Sequence, residues 1–118
     1  MNNDEFVKIM DSEFADIKKL FAKKNESYGA NEDTFYNFRQ TADRMFTEPT
    51  DEPNSIYEGM FAVAEVLVDK HNVALSKGIH VNECRDRLRD RIVYSLIEIA
   101  MIDEMIEQWK SNEEAENE

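Results

Sequence analysis

Turn-forming residues are scarce in this chain, with three Gly and two Pro among 118 residues. A fold of many short strands needs frequent tight turns, and those draw on Gly, Pro, Asn and Asp. The shortage argues for helices joined by few connections. Cysteine is nearly absent: Cys84 stands alone, which excludes an internal disulfide framework and a multi-cysteine zinc site. No catalytic partner for its thiol is evident, so a half-buried structural role is expected. Positive charge is also short, with 14 Lys and Arg against 26 Asp and Glu, for a formal charge of −12. General nucleic-acid binding needs a cationic face and is not expected. Long apolar runs are missing too. The longest, around Tyr94 to Ile102, is broken by Glu98 and falls short of the ~20 residues that span a bilayer. The opening MNNDEFVK lacks the cationic and apolar blocks of a signal peptide. These absences point to a cytoplasmic protein that does not engage membranes. The acidity permits divalent metal binding, mimicry of nucleic acid toward a basic protein, or simple solubility.

What the chain does have is helical periodicity. Hydrophobic residues make up 42% and charged residues 34%, a globular rather than disordered balance. The expected class is all-α: a four-helix bundle-like domain over residues 1–110, with a long last helix and a disordered acidic tail over 111–118. Asn2 or Asn3 caps a first helix to about Lys24, and Asn25 to Asp33 reads as a loop containing Gly29. A second helix runs from about Thr34 to Phe46, with Phe35, Phe38, Ala42 and Met45 inward. Pro49 and Pro53 break the segment Thr47 to Asn54. Ser55 and Glu58 form a capping box for a third helix, which ends near Lys77 with Gly78 as left-handed cap.

The last helix, Val81 to Trp109, organises the rest. Asn82 can cap it. Leu88, Ile92, Leu96, Ile99, Ile102 and Ile106 recur at helical spacing and form one apolar stripe. On the opposite side Asp86, Asp90, Ile97 and Met101 fall in line, flanked by Val93 and Tyr94. Two carboxylates one turn apart thus run into apolar surface, as they would at the rim of a cleft. Surface pairing with Arg87, Arg89 and Arg91 is the plainer account. The second half of this helix is apolar nearly all round, more than three other helices can cover, so a homodimer through it is expected.

Candidate functional residues follow from these faces. His71 lies on the apolar stripe of the third helix with Lys70 beside it. A cation at a buried edge needs partners, and Asp86 and Asp90 are the nearest acids on the next helix. Glu65 and Asp69, with Glu58, form a second carboxylate line. It is either a solvated face or part of a magnesium site. Arg85, Arg87, Arg89 and Arg91 form a cationic island suited to phosphate oxygens, or to pairing with their own acids. Tyr28, Phe35, Tyr36 and Phe38 could stack on a base or simply fill the core. No phosphate loop, zinc spacing or dinucleotide fingerprint is present.

The series KNESYG (Lys24 to Gly29), FYNFR (Phe35 to Arg39), LVDKH (Leu67 to His71) and DRLRDRIVY (Asp86 to Tyr94) resembles small helical proteins of tailed phages and prophages. Those are grouped as nucleotide-modification-associated or uncharacterised phage families. The similarity spans about Lys24 to Met101. More distantly, the last helix resembles the second metal helix of the all-α nucleoside-triphosphate pyrophosphatases, MazG and the dimeric dUTPases. They use E-E-x-x-E and E-x-x-D on two helices to hold magnesium. Here Asp90 takes the place of the final Asp, Arg87 stands where a Glu would be, and Glu65 with Asp69 is a partial counterpart of the first motif.

The resemblance implies a nucleotide-directed pocket between the third and fourth helices, with Mg2+-dependent NTP pyrophosphatase chemistry if the protein is catalytic. Asp86, Asp90, Glu65 and Asp69 would hold the metal. Lys70 and His71 would serve the reaction, Arg87 and Arg91 would neutralise phosphate, and Tyr28 and Asn37 would approach the base. The alternative is a non-catalytic acidic phage inhibitor that occupies a host protein. The partner is accordingly a nucleotide or a host protein.

Overall fold

The computed structural model describes residues 1–28, 33–46, 55–78 and 80–117. All regular structure among them is helical: α1 (Asn3–Tyr28), α2 (Tyr36–Met45), α3 (Ser55–Leu75) and α4 (Val81–Glu116). The fold is therefore all-α and bundle-like, with a long C-terminal helix. The expected breaks at Gly29 and at Thr47 to Asn54 lie outside the described residues, as does the Ser55 side chain of the expected capping box. The chain divides into two compact units, Met1–Thr34 and Phe35–Glu118.

The first unit is α1. Its start is closed reciprocally: the Glu5 amide donates to Asn2 Oδ1 at 2.9 Å, and the Asn2 amide donates to Glu5 Oε2 at 3.0 Å. This is capping-box chemistry with Asn as the cap, and it satisfies two amides that the helix cannot. The helix runs to Tyr28 rather than ending near Lys24, because no breaker precedes Gly29.

In the second unit α3 packs against both α2 and α4. Met60 and Met101 are fully buried at its centre, joined by Phe35, Ala42, Tyr57 and Val63. Gly59 sets the approach of α2. A Cβ there would meet the Phe46 ring at 3.1 Å and the Ala42 Cβ at 3.2 Å, so the absent side chain is what lets the two helices close. Met45, expected inward, is instead 59% exposed, one step past the face that Ala42 presents. After α3 the chain turns at Gly78, whose φ of 120° only glycine adopts readily. The half-buried Cys84 thiol donates to the Gly78 carbonyl at 3.6 Å, which ties the first turn of α4 to this bend. The helix begins at Val81 with His80 as the flanking residue, so Asn82 lies inside it rather than capping it.

Two features of α4 depart from expectation. The Leu88–Ile106 stripe points to solvent, while the opposite face packs inward through Tyr94, Ile97, Met101 and Met105, as expected if a partner helix covers the apolar part of that side. The inward face also carries Arg87, Asp90 and Glu98, which meet polar groups on α3. The buried His71 of α3 finds its hydrogen-bonding and charged partners, Arg87 and Asp90, on this face. The acidic tail, expected to be disordered from residue 111, continues the helix to Glu116. Extending an established helix costs far less than nucleating one, and Ser111 to Glu116 contains no Gly or Pro.

A polar seam between α3 and α4

His71 is the centre of this seam. It sits in the last turns of α3 and is 7% exposed. Its neighbours Lys70 and Asn72 are exposed, and α4 supplies its partners. Arg87 Nη1 lies 3.2 Å from His71 Nδ1. A guanidinium only donates, so Nδ1 accepts and the ring proton belongs on Nε2. Nε2 faces Asp90 Oδ2 at 3.9 Å, within ion-pair range but beyond a hydrogen bond. The Tyr94 ring packs against the imidazole at a tilt of 39° with centroids 5.8 Å apart, and Phe38 of α2 meets Tyr94 edge-on at 6.3 Å. The segments LVDKH, DRLRDRIVY and FYNFR therefore converge through His71, Arg87, Asp90, Tyr94 and Phe38.

The other expected site residues are distributed differently. Lys70 is exposed next to His71. Arg91 and Asn37 are exposed on α4 and α2. Tyr28 closes α1, and its side chain lies outside the described residues. Asp86 is exposed and pairs with Arg89 at 3.8 Å, the plainer outcome considered for it. Arg87 also reaches Glu83 at 3.9 Å. Asp69 is exposed, and Glu65 turns to Glu98 rather than to Asp86 or Asp90. Among the described residues no group of three or more His, Cys, Asp or Glu side chains is disposed to hold a metal ion. The four carboxylates expected to hold magnesium do not fit that role in this arrangement, because Glu65, Asp86 and Asp90 each face a different partner.

Two polar groups escaped the sequence. Glu98, 8% exposed, hydrogen-bonds to Glu65 across the seam. Burial is the main cause that pushes its carboxyl up to about 7; the hydrogen bond with Glu65 and that residue's charge add to it. The one visible signal was an acid interrupting the longest apolar run. Nearer the α2 side, the buried Tyr57 hydroxyl bonds with Arg39 and Glu104, linking α2, α3 and α4. Burial raises its pKa, Glu104 adds to that, and the Arg39 cation opposes it. Nothing local marked that triad, because its members belong to three helices. Beside it an open groove of about 310 Å³ is lined mainly by Tyr57, Phe61, Met101, Ile102 and Met105, and is chiefly apolar.

No helix among the described residues is long and apolar enough to cross a membrane. Fold and seam define the class: an α-helical protein with a histidine-centred polar contact between two long helices. Compared with protein-family models, curated proteins and solved structures, the chain matches none.

Proposed function

We propose that the α3–α4 seam around His71 binds a phosphate-bearing small molecule of the nucleotide class. The observation that carries this is the convergence of His71, Arg87, Asp90 and Tyr94. Arg87 carries five N–H donors on a partly exposed guanidinium, which reaches His71 through Nη1 and Glu83 through Nη2 and suits phosphate oxygens. Lys70 and Arg91 add exposed positive charge on the same two helices, and Asn37, next to Phe38, offers an amide for a base. His71 holds Arg87 in place. The phage-protein resemblance points the same way. The reading extends to binding alone, since Glu65, Asp86 and Asp90 each face a different partner.

The test is a calorimetric titration with a panel of NTPs and dNTPs, with and without Mg2+, alongside an assay for released pyrophosphate. Binding should be measurable for at least one nucleotide. Arg87→Gln should weaken it about tenfold or more, as loss of a charge-assisted hydrogen bond does. No heat with any nucleotide at millimolar concentration would remove the proposal. A second function is favoured by the charge of −12. That function is non-catalytic occupation of a basic surface on a host protein, and it would survive a negative nucleotide panel.

A further inference from the structure

The outward face of α4 is the largest feature that the seam does not explain. Ile92, Leu96, Ile99, Ile102 and Ile106 are all exposed along one side of it. Leu88 and Trp109 extend the stripe at either end, giving a line roughly 32 Å long at ~1.5 Å per residue. A contiguous apolar strip of this length on a soluble chain marks an interaction surface.

Two properties of the strip identify its occupant. The first is spacing. The five central residues follow one another at intervals of four, three, three and four, so the pattern reads the same from either end about Ile99. Laid antiparallel on its own copy, each apolar layer falls on an apolar layer: Ile99 on Ile99, Leu96 level with Ile102, Ile92 level with Ile106. The second is charge. The start of the strip, residues 83–91, carries four Arg against Glu83, Asp86 and Asp90, while its end, residues 103–114, carries five acids against Lys110, so the start is net positive and the end strongly negative. An antiparallel copy sets the arginine end against the acidic end twice over. A parallel copy would set arginine against arginine and acid against acid, and like charges that meet at an interface oppose association.

We infer that two copies of this chain associate through the outward faces of α4, antiparallel, with the twofold axis at Ile99. A closed twofold pair covers the strip on both copies at once. The face is opposite the His71 seam, so this association stands or falls independently of nucleotide binding.

Sedimentation over a micromolar dilution series should give twice the 13.8 kDa chain mass at the higher concentrations. Ile99→Glu places two like charges on the axis and should weaken association on the order of 100-fold or more, with the helical circular dichroism unchanged. Orientation is read separately, in a Cys84→Ser background. A short bis-maleimide should join an Ile92→Cys chain to an Ile106→Cys chain in a mixture, and neither to itself. A mass of one chain at every concentration overturns the inference. So does a dimer indifferent to Ile99→Glu, or crosslinking of Ile92→Cys chains to each other.

Discussion

The two faces of α4 invert the usual expectation. The outward face is the more hydrocarbon-rich, built from branched Ile and Leu at even spacing. The inward face mixes Met101, Met105 and Ile97 with Arg87, Asp90, Tyr94 and Glu98. Yet Met101 is 1% exposed and Ile99 is 55% exposed. Hydrophobicity alone did not choose the buried side. α3 presents His71 and Glu65 toward α4, and only the mixed face carries groups able to meet them. The comparison teaches that the face turned inward is the one that carries partners for the buried His71, and that the purer apolar face stays exposed.

That contrast is sharpest in truncation. Met101→Ala should destabilise the fold by about 2–5 kcal/mol, the range for emptying a packed site. Ile99→Ala should cost under about 0.5 kcal/mol when measured where the chain is monomeric. Urea unfolding of both variants at high dilution checks this. Equal losses would mean that the outward strip is packed within the chain, and the distinction between the faces would be gone.

A finer probe is the acid buried on the inward side. The pKa of Glu98 in the fold, about 7, lies above its ordinary 4.5. The folded chain thus holds this proton more tightly than the unfolded chain does. The stability it contributes is complete below pH 4.5 and is lost as pH rises through 7. Glu98→Gln keeps a donor toward Glu65 but cannot ionise. The fall in urea midpoint between about pH 5 and about pH 8 should therefore shrink in the variant, by on the order of 1–3 kcal/mol in unfolding free energy. An identical pH dependence in both proteins would show that Glu98 titrates as if exposed.

The smallest effect is expected at Asp86, whose exposed pairing with Arg89 is of the kind that contributes little. Asp86→Asn should leave unfolding within about 0.5 kcal/mol of the parent. A larger loss would mean that the carboxylate belongs to the seam with Asp90 rather than to the surface.

Local signals sufficed for what is local. Scarce Gly and Pro, periodic apolar residues and the left-handed Gly78 were enough to read an all-α chain, because helix formation depends on residues three and four apart. That an acid of α4 would stand by His71 was partly legible: Asp86 and Asp90 were the nearest candidates, and Asp90 is the one that faces it, while Asp86 pairs with Arg89. The direction in which α4 faces was not legible. Its two apolar sides satisfy the same periodicity, and the choice between them lies in contacts with Glu65 and His71, more than fifteen residues away in sequence. The persistence of α4 into the acidic tail was likewise hidden, because composition describes a segment in isolation while propagation depends on the helix already formed before it. Tyr57 with Arg39 and Glu104, and Glu98 with Glu65, came into being only when separate helices met. Sequence determined which helices form; tertiary structure decided which sides touch, because a side chain's partner across a seam is set by packing and hydrogen-bond satisfaction and not by its neighbours along the chain.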